Sequence, residues 1–383
     1  MSDTLTEATE HQGRARVALT AALASGPSHA YLFRGPRGSG KGLTARAFAA
    51  ELLAVGAADA EDAKRRAMLD PSPHPDLVWL RPPGAQHMVE EVREKVIRAA
   101  SYRPFEAEKR VFVIEAAEQM RDESQNALLK TLEEPPDFVH LILLTSEPAQ
   151  LLETIVSRCQ PIDFAPLPSE AVEAQLAGLG SPDEIATAAR LSAGDPARAR
   201  FLLSDSGRAL RAAALDWVRA VGPASADALA RRVSGESGPT ALSETTVPWM
   251  ALLKAAEGRG EEAEDAARKA LEEEAEAGVK RSSKDIADEA KRAGRRRRTE
   301  TLDLGLELVG GLCRDQAAVA GGADEVVFNR DCLAELERAP NPDPSAFRRA
   351  AELVQDTRRR LDLNVSEELA LEALSFRLTR AVS

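Results

Sequence analysis

A glycine-rich loop between an apolar run and a helix-forming segment constrains this chain more than any other feature. The loop spans residues 35–42 and reads GPRGSGKG; it follows Tyr31-Leu32-Phe33, and helical spacing extends from Lys41 to Leu53. Glycines here let backbone N–H groups converge on phosphate oxygens, and a helix N-terminus attracts phosphate further. The sequence therefore predicts a nucleotide-binding loop formed by Gly35, Gly38, Ser39, Gly40 and Lys41.

Apolar runs alternate with amphipathic helical segments as far as about residue 164. Leu77–Leu80, Val111–Ile114 and Leu141–Leu144 are continuous apolar stretches, typical of strands that are buried on both faces. Between them, the spacing predicts one helix from Val89 to Ala100 and another from Ser124 to Leu132. The pattern predicts an α/β domain in which helices cover both faces of a parallel sheet.

The strand pattern fades after Pro168, and the rest of the chain is predicted to be helical. Helix starts occur at Ser169 and Ser181, and from Asp205 onward the sequence is rich in Ala, Glu and Arg. Aromatic residues make up only 4% of the chain, so helical cores built from Ala, Leu and Val are expected. The predicted domains are 1–166 (α/β), 167–204 (small and helical) and 205–383 (all-α).

Two charged runs of opposite sign stand out in the helical region. Residues Glu261–Glu276 are strongly acidic, and Lys280–Arg298 are strongly basic and end in four arginines. We interpret them as one long solvated helix whose two halves carry opposite charge, with a DNA-binding or partner-binding patch as the alternative. A formal net charge of -12 argues against a surface coated for nucleic acid, so any DNA contact would be local.

The few cysteines and the N-terminal residues indicate where in the cell the protein is expected. Cys159, Cys313 and Cys332 are far apart, which suits a reducing cytoplasm and offers neither a disulfide framework nor a metal cluster. The polar, acidic first residues are unlike a signal peptide, and no apolar run reaches the roughly 20 residues of a membrane span. We therefore expect a cytoplasmic protein that binds no membrane.

Two positions required for ATP hydrolysis carry residues without the necessary groups. Gly42 occupies the position where a Ser or Thr hydroxyl would bind Mg²⁺. Glu115 is predicted to hold Mg²⁺ through water, but its neighbour Ala116 cannot polarise an attacking water. We interpret Glu118 as a solvated surface acid and Thr145, at a strand end, as a candidate nucleotide-sensing residue. We predict that the chain does not hydrolyse ATP, while these residues leave open whether ATP or ADP binds at the loop.

Three further motifs accompany the phosphate loop: His74-Pro75-Asp76-Leu77, the run NALLKTLEEPP from Asn126 to Pro136, and Ser157-Arg158-Cys159. With the loop, they resemble the AAA+ clamp-loader subunits of bacterial DNA polymerase III, and the delta-prime family in particular. The resemblance is strong from about His29 to Pro166. It is weaker toward the C-terminus, where Arg314-Asp315, Asn364-Val365 and Leu369-Ala370-Leu371-Glu372 match.

The resemblance implies a RecA-like AAA+ P-loop domain, a small helical lid and a helical collar that assembles a five-subunit ring. In such a ring Arg158 would act in trans as an arginine finger, reaching the ATP held by a neighbouring motor subunit. The implied partners are tau/gamma and delta subunits, the sliding clamp, and primed DNA through the assembled complex. The implied role is a stator without intrinsic ATPase activity, in a DNA-directed DNA polymerase (nucleotidyltransferase) holoenzyme during DNA replication.

The chain departs from the family pattern at two places. Residues 54–72 contain no cysteine, so the four-cysteine zinc module common in the family is predicted to be absent. Ala197 occupies the position of the nucleotide-sensing arginine of active relatives. Arg198 is one residue later, which rotates its side chain by about 100° on a helix, and we do not count it as a sensor.

Two other functions remain as alternatives. The first is an active tau/gamma-like AAA+ clamp-loader ATPase, against which Gly42 and Ala116 argue. The second is a metabolic P-loop kinase that dimerises through its charged helical half. That alternative leaves the Ser157-Arg158-Cys159 motif without a role.

Overall fold

The chain forms two compact units in the computed structural model, which describes residues 3–82, 87–221, 247–276, 282–338, 343–361 and 365–382. The first unit comprises Met1–Val172 and Ala193–Asp195, and the second comprises Glu173–Ser192 and Pro196–Ser383. The predicted three-part division at 166 and 204 stays a prediction. No helix in the described ranges combines the length and the apolar character needed to cross a membrane.

The first unit is built on a five-stranded parallel sheet, as the sequence predicts. The spatial order of its strands is β2-β3-β4-β1-β5. The strands are β1 (Ala30–Arg34), β2 (Leu77–Leu80), β3 (Arg110–Ile114), β4 (Val139–Thr145) and β5 (Gln160–Asp163). Sequence analysis missed β5, because this edge strand buries only Ile162 and carries a proline, which is tolerated at a sheet edge.

Helices lie on both faces of the sheet, so alternate residues of a central strand enter different cores. Tyr31 and Phe33 of β1 pack in one core with Phe48, whereas Leu32 packs in the other core with Phe112. This two-sided burial explains the continuous apolar runs of the sequence. The α-helices of this part are α1 (Asp3–Ala8), α2 (Gly13–Ser25), α3 (Lys41–Ala54), α4 (Ala60–Met68), α5 (Val89–Glu91), α6 (Asp122–Glu133) and α7 (Glu153–Val156).

The helix predicted from Val89 to Ala100 is present but is not a regular α-helix. After α5 it continues as a π-helical stretch, Val92–Arg98, and ends in a 3₁₀ turn, Ala99–Ser101. Val92, Val96 and Ala100 are all buried, so the predicted apolar face is confirmed. In the π-helical stretch the backbone hydrogen bonds follow an i to i+5 pattern, but the three apolar residues still lie on one side of the helix. The spacing of apolar residues therefore does not distinguish this form from an α-helix.

The remaining described elements are helical, which confirms the predicted loss of strands after Pro168. Ser181 caps α9 with a capping box, as its predicted helix start requires. The α-helices are α8 (Ser169–Gln175), α9 (Pro182–Leu191), α10 (Pro196–Leu203), α11 (Asp205–Ala220), α12 (Trp249–Glu276), α13 (Ser283–Ala320), α14 (Leu333–Leu336), α15 (Pro344–Leu361) and α16 (Glu367–Val382).

The prediction that the two charged runs form one long helix is wrong. The acidic run lies in α12, and the described part of the basic run lies in α13, a separate helix that packs against it; Lys280 and Arg281 lie outside the described residues. The two helices run antiparallel, and their backbones approach closely where Gly260 meets Gly294. Because neither glycine has a side chain, the two backbones can come close together. The pattern of charges along the sequence does not indicate this packing.

We expect Gly294→Ala to destabilise the helical unit by about 1–3 kcal/mol, because overpacking forces the backbones apart. A Cβ atom at this position would lie 2.9 Å from the carbonyl oxygen of Gly260. The matched control is Gly311→Ala in the same helix, where no described atom lies within 4 Å of the added Cβ. That variant should gain roughly 0.5–1 kcal/mol from helix propensity.

Urea unfolding followed by circular dichroism at 222 nm measures both variants, and the shifts should have opposite signs. A stabilising effect of Gly294→Ala would contradict the close crossing of the helices.

Candidate functional site

The glycine-rich loop follows β1 at the carboxyl edge of the sheet and leads directly into α3. Gly35 donates its N–H to the Thr145 carbonyl oxygen at 3.2 Å, which ties the start of the loop to the end of β4. Gly38 and Gly40 have positive φ angles of 74° and 88°, so the turn depends on glycine at both positions. The loop thus has the backbone form of a phosphate cradle at a helix N-terminus.

Lys41 folds back over this loop. Its Nζ donates to the carbonyl oxygens of Gly35 at 2.6 Å and Pro36 at 2.7 Å. Burial lowers the pKa of Lys41 to about 8; the nearby carboxylates of Glu118 and Asp195 oppose the shift, and Arg37 adds to it. Lys41 therefore lies at the loop, as predicted. With a pKa of about 8, it loses its proton more readily than an exposed lysine does.

Gln12 connects the phosphate loop to the end of the sheet through side-chain hydrogen bonds. The sequence did not predict this role. Its Nε2 donates to the carbonyl oxygens of Ser39 at 2.9 Å and Ala165 at 2.8 Å. Its Oε1 accepts from the N–H of Ala165 at 3.0 Å. A glutamine before an unrelated helix gives no sequence signal of this role, because its partners are 27 and 153 residues away.

Glu115 stands at the end of β3, as predicted, but its carboxylate turns toward β2. Its Oε2 accepts hydrogen bonds from Trp79 Nε1 and Arg81 Nε, each at 2.9 Å. Arg81 also donates to Asp70 at 2.6 Å, so Glu115 belongs to a charged network on that side of the sheet. To hold Mg²⁺ beside the phosphate loop, this carboxylate would have to leave the network.

Glu118 is the acid that faces the loop lysine, and our interpretation of it as a solvated surface residue is wrong. Its Oε1 accepts from Ser146 Oγ at 2.7 Å, while its buried Oε2 finds no hydrogen-bond partner among the described residues. Burial opposes its ionisation, but hydrogen bonds from Ser146 and Thr145 outweigh burial and lower the pKa of Glu118. The 3₁₀ turn after β3 brings Glu118 back over the sheet edge, which linear spacing does not show.

Three further predicted positions lie at this edge of the sheet: Thr145, Ala116 and Gly42. Thr145 is buried, and its Oγ1 accepts from the N–H of Glu147 at 3.1 Å. Ala116 adopts a left-handed conformation with a φ of 50° and offers only a methyl group. At Gly42, apart from its chain neighbours and the backbone of its own helix, no described atom lies within 4 Å of where a Cβ would stand. Gly42 and Ala116 therefore supply no side-chain oxygen for Mg²⁺ or water.

Arg158 lies on another part of the same unit, just after α7. One guanidinium nitrogen, Nη2, is 2.6 Å from Oε1 of Glu133, and Nη1 donates to the Thr154 carbonyl oxygen at 2.9 Å. About a third of its side chain, 35%, is exposed. An exposed ion pair of this kind contributes only about 0–1 kcal/mol, so the guanidinium can exchange Glu133 for another anion at small cost.

The His74-Pro75-Asp76 motif has a structural role in this fold. Asp76 is fully buried and accepts backbone N–H bonds from Phe105 at 2.7 Å and from Glu106 and Ala107 at 3.0 Å. His74 Nδ1 accepts from the N–H of Asp76 at 3.2 Å. The motif therefore fixes the loop that precedes β3, and it contributes no group to the phosphate loop.

Arg314-Asp315 also supports the fold. Asp315 is fully buried and accepts from the backbone N–H groups of Phe328 at 3.1 Å and Asn329 at 2.9 Å. The Arg314 guanidinium lies 3.8 Å from the centre of the Phe328 ring. The pair anchors the segment after α13.

Arg198 forms an ion pair at 2.7 Å with Glu307 of α13. The exclusion of Arg198 as a nucleotide sensor stays a prediction. Among the described residues, no three His, Cys, Asp or Glu side chains are arranged to hold a metal ion. The absence of zinc stays a prediction.

The comparisons with known proteins concern mainly the first unit. Residues 12–168 match the family described as DNA polymerase III, delta subunit. The delta-prime subunit of DNA polymerase III from Bacillus subtilis is 34% identical over 154 residues, which are 39% of this chain and 46% of that protein. This part of the chain is similar to delta-prime subunits. The comparison thereby bears out the resemblance drawn from the motifs.

Two further relatives show how much of the chain is similar to known subunits. The delta-prime subunit of Pseudomonas aeruginosa is 35% identical over 204 residues, covering 50% of this chain and 61% of that protein. The tau subunit of Bacillus subtilis is 34% identical over 148 residues, covering 38% of this chain and 26% of that protein. The chain thus spans about half the length of the delta-prime relatives that it matches.

Gly42→Ser tests whether the missing hydroxyl alone removes the Mg²⁺ ligand. The open space at Gly42 accepts the side chain, so we expect the variant to bind Mg²⁺-ADP several-fold more tightly than metal-free ADP. Gly42→Ala is the matched control, since it changes the backbone in the same way without the hydroxyl. Isothermal titration with and without Mg²⁺ measures the effect; equal Mg²⁺ dependence in both variants would contradict it.

The pH dependence of ADP binding tests the state of Lys41. Because burial lowers its pKa to about 8, the protonated fraction falls steeply between pH 7 and pH 9. Nucleotide phosphates need the ammonium, so affinity should weaken about tenfold over this interval. Lys41→Arg should bind with a flat profile, because arginine stays protonated. Parallel profiles for the two proteins would show that Lys41 does not titrate there.

Proposed function

We propose that this chain is a delta-prime-like subunit of a bacterial DNA polymerase III clamp loader, a non-hydrolysing stator that lends Arg158 to the ATP site of a neighbouring motor subunit. The observation that carries the proposal is the pairing of an incomplete phosphate site with a surface guanidinium in the same unit. The finger would help that neighbour to hydrolyse ATP while the ring loads the sliding clamp on primed DNA.

The state of the chain's own site supports a role without turnover. Gly42 has no hydroxyl for Mg²⁺, Ala116 has no acid for water, and the Glu115 carboxylate is engaged by Trp79 and Arg81. Hydrolysis requires a metal ligand, a positioned water and charge stabilisation together. We propose that ATP or ADP, where it binds, is held by residues 35–41 without being cleaved.

The setting of Arg158 supports a role in trans. The guanidinium is partly exposed, and it is held by one carboxylate that it can exchange for a phosphate. A planar guanidinium meets two oxygens of a terminal phosphate and offsets the negative charge that develops during cleavage. Glu133 closes the NALLKTLE segment, so two of the family motifs meet at this point of the surface.

An active tau/gamma-like ATPase is the second candidate, favoured by the similarity to a tau subunit. It requires Glu115 or Glu118 to hold Mg²⁺ and a substitute for the acid missing at Ala116. Glu118 has the better position, because it faces Lys41 and carries an unpaired buried oxygen among the described residues. The lack of a side-chain oxygen at Gly42 and Ala116 makes the stator the function that the geometry supports best.

The wider assembly follows from the same proposal. The partners would be tau/gamma and delta subunits in a hetero-pentameric ring, together with the sliding clamp and primed DNA. The lid (167–204) and collar (205–383) would be the helical parts, with the collar responsible for assembly. The site of action would be the cytoplasm, during DNA replication.

We expect Arg158→Ala to lower the DNA- and clamp-stimulated ATPase rate of the reconstituted loader several-fold while assembly survives. The decrease stays moderate because only one of the ring's ATP sites would lose its finger, although a trans arginine contributes about 10³–10⁵ in rate in related chemistry. Arg158→Lys should not restore the rate, since an ammonium lacks the fork geometry.

Arg65→Ala is the matched control, because Arg65 is also a partly exposed arginine of the first unit, paired with Asp62. Its ATPase rate and its assembly, measured by gel filtration, should equal those of the unaltered complex. An unchanged rate in Arg158→Ala, with the variant present in the ring, would refute the finger.

A further inference from the structure

A carboxylate lies directly against the phosphate loop. The turn before α10 brings Asp195 to Gly38: a Cβ at Gly38 would lie 2.6 Å from both Cα and Oδ1 of Asp195. Both residues belong to the first unit. Gly38 therefore has a second reason to be glycine besides its positive φ, since a side chain there would collide with Asp195.

The turn that carries Asp195 is held in place by its backbone. Ala193 and Gly194 both have positive φ angles, 52° and 83°. A Cβ at Gly194 would lie 2.7 Å from both the N and the O of Leu167, so the turn also packs closely on the segment after β5. An alanine in the left-handed region costs free energy that the surrounding contacts must offset. The position of Asp195 at the loop is therefore imposed by packing.

The charge of Asp195 opposes the ligand that the loop would take. Phosphates bound by loop N–H groups would lie within a Debye length of this carboxylate, about 8 Å at physiological salt. Glu118 adds a second negative charge, and both carboxylates act on Lys41. Lys41 is also occupied with the carbonyl oxygens of Gly35 and Pro36. An incoming di- or triphosphate thus meets two acids and an engaged ammonium, besides the Arg37 guanidinium of the loop itself.

We propose that Asp195 sets the nucleotide affinity of this loop: its carboxylate occupies the mouth of the phosphate cradle, and a nucleoside di- or triphosphate must displace it to bind. This deepens the proposed function, because it names the residue that decides whether the stator carries nucleotide. It does not depend on Arg158 or on any neighbouring subunit.

Asp195→Asn is the sharpest test, since it removes the charge and keeps the shape. Asparagine is as good as aspartate immediately before a helix, so α10 should form normally. Titration of the purified full-length chain with fluorescent ADP should show about tenfold tighter binding than the unaltered chain, the scale expected for removing a nearby like charge. The gain should shrink as salt is raised.

Two further variants make the result decisive. Asp137→Asn removes an exposed acid just before β4, at the opposite, amino edge of the sheet, and should leave the affinity unchanged. Combining Asp195→Asn with Lys41→Ala should abolish the gain, which places the bound nucleotide at this loop. Equal affinity of Asp195→Asn and the unaltered chain, or a gain that survives Lys41→Ala, would overturn the proposal.

The same experiment separates this inference from the stator proposal. It uses the chain alone, so failure of the Arg158 finger in the assembled ring would leave its outcome unaffected. Absence of detectable nucleotide binding by Asp195→Asn would also overturn the inference, because neutralising the carboxylate would then not open the cradle.

Discussion

The carboxyl edge of a parallel sheet buried on both faces organises the first unit. Parallel strands end at the same edge, so residues far apart in sequence meet there: the loop after β1, the turn after β3 and the end of β4. Two-sided burial holds the strands in register, with Arg34 opposite Thr145. Because the strand ends are fixed in this register, small differences in side-chain direction at this edge decide which groups reach the phosphate loop.

The three acids near this edge differ in what their carboxylates contact. Glu115 is drawn toward β2 by Trp79 and Arg81, whereas Glu118 crosses toward β4 and Ser146. Asp195 comes from a distant turn and lies on the loop itself. Lys41 thus lies near two carboxylates and the Arg37 guanidinium, and position 42 has no side-chain oxygen that could bind a metal ion.

The motifs that carry the family resemblance serve two different purposes. His74-Pro75-Asp76 and Arg314-Asp315 bury a carboxylate that satisfies backbone N–H groups, so they specify local structure. Ser157-Arg158-Cys159 presents a partly exposed guanidinium instead, while its Cys159 is buried. Burial therefore distinguishes the carboxylates that specify local structure from a guanidinium that reaches the surface, a distinction that the matching residues alone do not make.

The sequence by itself determined the parallel sheet, the phosphate loop, the helical second half and the missing groups at Gly42 and Ala116. These follow from local signals: apolar runs, glycine spacing and the chemistry of single side chains. Only the tertiary structure decided that Glu118 faces Lys41, that Gln12 and Asp195 contact the loop, that Glu133 holds Arg158, and that two helices cross at Gly260 and Gly294. The physical reason is that such contacts depend on chain direction and packing between residues tens to more than a hundred positions apart, which no local pattern encodes.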